Sequence, residues 1–267
     1  MKRVNAYTAD YTKTAEEIRG IEKASRVVAE TLSLVEKSIH AGMTTLEIDK
    51  IAEDYILSKN AIPATKGYRE GRLVFPATLC ISVNEEIVHG IPSERVIKDG
   101  DIVSCDCVAE LNGFFGDSAI TVPVGKIDEK KARLIKATEE ALFCGIEQAV
   151  TGNKLYDIAA AVQARVEADG FNCTRELVGH GIGRSMHEEP PVPNFVPPLL
   201  YRKIFPNVKL VKTMAICIEP MVQAGRKETR ELSNGWTFVT ADGEPAAHIE
   251  HTIIVDDGKA HILTLRD

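Results

Sequence analysis

No stretch of this 267-residue sequence approaches the ~20 consecutive apolar residues that a membrane-crossing helix needs. A basic excess is missing too: 32 Lys and Arg stand against 39 Asp and Glu, a net charge of -7, which argues against a nucleic-acid binder. The opening MKRVNAYTADYTKTAEE turns polar at once, without the apolar core of a secretion signal. Cysteines are few and scattered. Cys80, Cys105, Cys107, Cys144, Cys173 and Cys217 form no CxxC pair, which favours free thiols over a disulfide framework or a thiolate zinc site. Cys105 and Cys107 stand at strand spacing and read as small core residues. The composition, 44% hydrophobic and 27% charged, is that of a soluble cytoplasmic globular protein.

The periodicities that are present run helix, helix, strands, and then the same again. Thr14 with Glu17 is a capping box opening a helix that Gly42 is expected to stop. Thr44 with Glu47 opens a second helix, and strands follow over 78–88 and 102–124. Asp128 starts a long amphipathic helix and Lys154 another, closed by Gly170, before strands over 214–222, 237–240 and 248–255. Residue echoes support two related halves, about 14–125 and 126–256: His89-Gly-Ile-Pro precedes Asp106 and Asp117, and His187-Glu-Glu-Pro precedes Glu219 and Glu250. With no linker between them, the halves read as one α+β domain spanning 1–267. A Pro-rich segment, EEPPVPNFVPPLLYRKIFPNV, is long for an internal loop and suggests a functional one.

The oddity lies in GDIVSCDCVAELNGFFGDSAI, 100–120. Asn112-Gly113 between alternating apolar runs marks a two-residue hairpin. Centring the turn there pairs Leu111 with Phe114, Val108 with Asp117 and Asp106 with Ala119. The two aspartates then share one face as diagonal neighbours, roughly 7–8 Å apart at the backbone, provided that Gly116 carries no bulge. Such a pair repels unless it shares a proton, meets a base or binds a metal, and 102–124 contains no Lys or Arg. Glu219 in MAICIEPMV and Glu250 in AAHIEHTIIV add two acids in apolar strands, and His180 in LVGHGIGRSMHEEPP adds an imidazole between glycines that allow close backbone approach. Four buried carboxylates would be prohibitive uncompensated. Two divalent cations balance them, and a donor set of oxygens with one histidine suits Mn²⁺, Fe²⁺, Co²⁺ or Zn²⁺. A metal-free, proton-sharing dyad would leave Glu219 and Glu250 unexplained.

CISVNEEIVHGIP, GDIVSCDC, GFFGDSA, VGHGIGRSMHEEP, IEPMV and IEHTIIV, in this order and spacing, resemble the type I methionine aminopeptidases from about Thr14 onward. The resemblance implies the pita-bread fold, two pseudo-symmetric αβ halves around a curved antiparallel sheet. It implies a dinuclear centre held by Asp106, Asp117, His180, Glu219 and Glu250, with Glu219 also shuttling a proton. His187 would stabilise the oxyanion and His89 would contact the substrate near its amine or the next peptide unit. By position, Tyr68, Cys80, Met186 and Trp236 would line a methionine pocket. Substrates would be the N-termini of peptides and nascent chains, met transiently at the ribosome by a monomer. Departures from the family pattern are Met186 for the usual Phe, Thr65 for a common Cys, a longer segment over 65–80, and Lys212-Thr213 for Pro-Gly. Xaa-Pro aminopeptidases and prolidases resemble the chain in the five ligands but carry a separate N-terminal domain, for which this chain has no room. A non-catalytic binding protein on the same fold would be expected to have lost ligands, and none is lost.

Overall fold

In the computed structural model, residues 11–266 are described; residues 1–10, on which the absence of a leader partly rests, lie outside them. Four α-helices are present among the described residues: α1 (Ala15–Ser38), α2 (Thr45–Ser58), α3 (Glu129–Glu147) and α4 (Leu155–Ala168). Their N-termini are built as the sequence predicts. Thr14 accepts from Glu17 N while the Glu17 carboxylate returns to the Thr14 N–H, and Thr44 with Glu47 does the same. Each such cap stabilises its helix by about 1 kcal/mol. Asp128 caps α3 through Lys131 N. Gly170, at φ 79, follows the end of α4 as expected. Gly42 does not end α1: the helix stops at Ser38 because Ile39 turns extended, and Gly42 (φ 97) serves the turn into α2.

A nine-stranded antiparallel sheet organises the chain. At its centre the hairpin strands Ile102–Leu111 and Phe114–Pro123 pair over their whole length, and Phe114–Pro123 then pairs with Glu250–Ile254. Glu250–Ile254 pairs with Ala215–Ile218, which pairs with Gly179–Gly181, which in turn pairs with Glu188–Val192. Within this sheet the first half of the chain meets the second where Phe114–Pro123 pairs with Glu250–Ile254, and in a separate three-stranded sheet Glu86–Val88 pairs with Phe238–Thr240. The expected strand over 214–222 is broken at Glu219-Pro220, and the one over 248–255 is broken at Ile249. Met221–Gln223 and Ala246–His248 pair with each other in a separate three-stranded sheet. The short strands around His180 and at the start of the Pro-rich segment are additional to those expected.

Alternation decides what each strand residue meets. Cys105, Cys107 and Ala109 face helices α1 and α2, packing with Val28, Leu32, Ile48 and Ile56. Ile216, Ile218 and Ile253 pack with Leu134, Leu142, Ile158 and Val162 of α3 and α4. Burying each such Ile or Leu is worth about 1.5–3 kcal/mol. Asp106 and Val108 project from the opposite face, into a cavity. No helix among the described residues is long and apolar enough to cross a membrane.

Candidate metal centre

The hairpin carries its acids in the predicted register. Asn112 and Gly113 take φ 55 and 78, as a two-residue turn requires. Asp106 lies opposite Ala119 and Val108 opposite Asp117, with Gly116 in regular pairing with Ala109, so no bulge intervenes. Gly116 has a different purpose: a Cβ there would stand 2.4 Å from Ser25 N of α1, so only glycine lets that helix lie against the strand beside Asp117. Thr252 anchors this edge from the neighbouring strand, its hydroxyl accepting from Asp117 N and donating to Asp117 O at 2.7 Å. Ser118 donates to Glu250 O at 2.6 Å, which fixes the two acid-bearing strands relative to each other.

The second half supplies the remaining groups. Gly179 and Gly181 flank His180 because Cβ atoms there would sit 2.3 Å from the carbonyl oxygens of Cys217 and Glu189. Asn194 donates to Glu219 O at 2.9 Å and holds the backbone where the strand has ended. His180 Nε2 then lies 3.6 Å from Asp117 Oδ2 and 3.6 Å from Glu219 Oε1. Its Nδ1–H donates to Gly181 O at 2.9 Å, leaving the Nε2 lone pair free to face the carboxylates.

The electrostatics match a site that expects positive charge. Burial, reinforced by neighbouring carboxylates, pushes Asp106, Glu219 and Glu250 well above the usual carboxyl range, and burial raises Asp117 to about 7. Burial also lowers His180 to about 4, so no imidazolium offsets these acids at neutral pH. Asp106 Oδ1, Asp117 Oδ1 and Glu250 Oε1 are buried without a hydrogen-bond partner. Asp117, His180, Glu250 and the Cys217 sulfur present donor atoms within 4.8 Å of one another. Cys217 Sγ is 3.4 Å from Thr252 Oγ1, and burial and the nearby acids keep it a thiol. Orphaned oxygens, an imidazole in ligating form and excess negative charge fit divalent cations.

The structure brings all the other sequence-predicted residues to the same cavity, of ≈ 520 Å³. His187 meets His180 edge to face at 4.5 Å, and its Nδ1 is 3.2 Å from the Tyr68 hydroxyl. Tyr68, Trp236 and Phe75 form a chain of edge contacts at 6.3 and 5.4 Å. Cys80 is the strand partner of Asp106, and Met186 is 9% exposed. His89 sits at φ 57, with Thr237 donating to its carbonyl at 3.1 Å. Burial lowers both His89 and His187 to about 4, so both are neutral near pH 7. Thr65 lines the cavity as well, and Ile204 and Phe205 bring the Pro-rich segment to its wall.

Sequence reasoning passed over His248. Its Nε2 is buried and unpartnered, 3.8 Å from Glu219 Oε2 and 3.9 Å from Glu250 Oε2. The available signal was a histidine in an otherwise apolar run, two residues before Glu250.

Residues 19–257 match the family description "Metallopeptidase family M24". The chain belongs to metallopeptidase family M24. This M24 metallopeptidase is 47% identical to a methionine aminopeptidase of Clostridium acetobutylicum over 254 residues, 95% of this chain and 98% of the relative. It is 44% identical to methionine aminopeptidase 1 of Bacillus subtilis, over 94% of this chain and 98% of the relative. The crystal structure of methionine aminopeptidase from Thermotoga maritima superposes with a TM-score of 0.89 at 40% identity, covering 96% of this chain and 99% of that one. The prolidase from Pyrococcus furiosus shares the fold, with a TM-score of 0.76 at 21% identity, and the chain covers 66% of its length. The architecture is the pita-bread fold expected from the sequence.

Proposed function

We propose that this M24 metallopeptidase removes the N-terminal methionine from peptides and nascent proteins, using two divalent cations held by Asp106, Asp117, His180, Glu219 and Glu250. The observation that carries the reading is the convergence of four carboxylates and a neutral imidazole in one cavity, with orphaned oxygens and no Lys or Arg among the described residues that line it. When bound, such cations acidify water and polarise a carbonyl oxygen. Oxygen-rich ligation suits Mn²⁺, Fe²⁺, Co²⁺ or Zn²⁺.

The chain's own groups then have distinct tasks. Glu219, at the cavity wall beside His180, takes the proton of the attacking water and passes it to the leaving amine. His187 donates to the oxygen of the scissile carbonyl as negative charge develops there. Tyr68 prepares it for this: with the hydroxyl donating to Nδ1, the imidazole carries its proton on Nε2. His89 contacts the substrate near its amine or the following peptide unit. Tyr68, Cys80, Met186 and Trp236 present an apolar, sulfur-tolerant surface for the methionine side chain. The whole chain, 1–267, acts as one catalytic domain with related halves over 14–125 and 126–256. It works as a cytoplasmic monomer, meeting emerging N-termini transiently at the ribosome, without membrane or nucleic acid.

The test is hydrolysis of Met-Ala-Ser and Ala-Pro-Ser by metal-stripped protein with Mn²⁺, Fe²⁺, Co²⁺ or Zn²⁺ restored, alongside Asp106→Asn. Metal-dependent release of methionine, lost in the variant, is expected. Cleavage only of Ala-Pro-Ser would transfer the same site to a Xaa-Pro enzyme. Stoichiometric metal uptake without any cleavage would mean a binding protein, and no uptake would overturn the reading.

A further inference from the structure

The Pro-rich segment concentrates apolar surface in water. Leu199 is 79% exposed, Leu200 81% and Ile204 62%, with Val196 and Tyr201 exposed beside them. Leaving a Leu or Ile in solvent forgoes about 1.5–3 kcal/mol of burial, and clusters of such side chains mark binding surfaces. The segment is nonetheless firmly seated on α4. Val196 N donates to Gln163 Oε1 at 2.8 Å, Tyr156 Oη donates to Phe205 O at 2.7 Å, and Tyr156 N donates to Asn207 Oδ1 at 2.9 Å. Phe205 also packs edge-on to Phe195, with 6.1 Å between ring centres. The backbone is therefore held from both ends while the leucines face solvent.

Resting on the peptidase reading above, we propose that Leu199, Leu200 and Ile204 form a docking surface for the substrate polypeptide beyond its cleaved bond, one that takes apolar side chains several residues from the N-terminus. Continuity identifies the occupant. Ile204 and Phe205 line the same cavity as His187 and Trp236, yet Ile204 is largely exposed, so it stands at the rim. Phe205 N donates to Tyr201 O at 3.0 Å, which joins the 3-10 turn Leu199–Tyr201 to the cavity wall. At a rise of about 1.5–2.0 Å per residue, Leu200 and Ile204 are ~6–8 Å apart along that turn, a span that about two residues of extended peptide cover. A peptide whose first residue is enclosed must leave past some part of the rim, and this part is apolar. A second copy of the chain matches less well, because a standard protein interface takes about 20–30 residues a side and the exposed apolar side chains here come from one short segment.

Substrates are then selected at two places. The cavity reads the first residue, and the turn over 199–204 reads residues that a tripeptide lacks. Contacts so far from the scissile bond are equally strong before and during reaction, so they lower KM and leave kcat unchanged.

The test compares metal-loaded full-length chain on Met-Ala-Ser, Met-Ala-Ser-Leu-Phe-Leu-Ser and Met-Ala-Ser-Ser-Ser-Ser-Ser. The apolar heptapeptide is expected to show a kcat/KM about 10-fold above that of the serine heptapeptide, carried by KM. In the double variant Leu199→Ser with Leu200→Ser, whose native side chains are exposed and support no core, that ratio falls to about twofold or less. Equal values for the two heptapeptides in the unsubstituted protein, or a ratio that survives in the variant, would overturn the proposal while leaving the peptidase reading intact. Release of methionine from none of the three peptides would overturn both. Sedimentation with and without phosphatidylcholine vesicles separates the other occupants. Unsubstituted protein that dimerises or binds vesicles, where the variant does neither, would reassign the surface and overturn the proposal; a monomer that stays free of vesicles supports it.

Discussion

Replacing a metal ligand usually weakens a protein, yet in the metal-free form Asp117→Asn, at a proposed ligand, should strengthen it. Asp117 sits with Asp106, Glu219 and Glu250 in one dry cavity, and burial raises its carboxyl from 3.8 to about 7. A folded-state value above the unfolded one means that the folded chain holds the proton more tightly. The associated stability is fully present below pH 3.8 and is lost as pH rises through about 7. Complete loss for one carboxyl moved that far is on the order of 4 kcal/mol. The four acids share the strain, so neutralising one recovers about half, or 2 kcal/mol, which at this chain length raises the melting temperature by roughly 4–8 °C. Metal-free Asp117→Asn should therefore melt above the unsubstituted protein at pH 8, with the gap closing toward pH 4. Saturating Co²⁺ should reverse the order, because metal at 100 times its Kd stabilises the intact site by about 2.7 kcal/mol and the variant much less. Thermal melts in chelator and in excess metal at both pH values read all four states. If the metal-free variant melts no higher than the unsubstituted chain at pH 8, the cavity is not overcharged and the argument for cations fails.

Three further outcomes follow from individual side chains. Gly116→Ala drives a Cβ into the backbone of Ala24 and Ser25, so it should cost about 1–3 kcal/mol and weaken metal binding by shifting Asp117; a denaturant melt with a metal titration checks both. Thr213 stands at φ 70, a conformation costly for a β-branched residue, and Thr213→Gly should gain about 1 kcal/mol net in a denaturant melt without changing activity. Tyr68→Phe removes the hydroxyl beside His187 Nδ1, and it should lower kcat about 10-fold with KM within about twofold. A larger rise in KM than fall in kcat would assign Tyr68 to the methionine pocket alone.

Much of this site is legible in the sequence because its signals are local. Asn112-Gly113 dictates the hairpin and its register, and alternation then places Asp106 and Asp117 on one face. Thr14, Thr44 and Asp128 mark helix starts through hydrogen bonds to residues three positions on. What escapes a sequence reading depends on partners far along the chain. The strand holding His180 is only three residues long and exists because Ala215–Ile218 and Glu188–Val192 lie on either side of it. The breaks at Pro220 and Ile249 divert Met221–Gln223 and Ala246–His248 into a different sheet. His248 was hidden for that reason: it belongs to another strand from Glu250, and only the folded chain shows the two side by side. The end of α1 was misplaced because a glycine can serve the next turn as readily as a helix stop.

The alternation along Ile102–Leu111 sorts its residues into two kinds of constraint. Cys105, Cys107 and Ala109 answer to volume, since they must fill the space beneath α1 and α2. Asp106 and Val108 answer to whatever occupies the cavity. The two sets share a backbone and little else, so one can be rewritten while the other stands. A strand divided in this way lets a single scaffold keep its packing while the side facing the cavity changes.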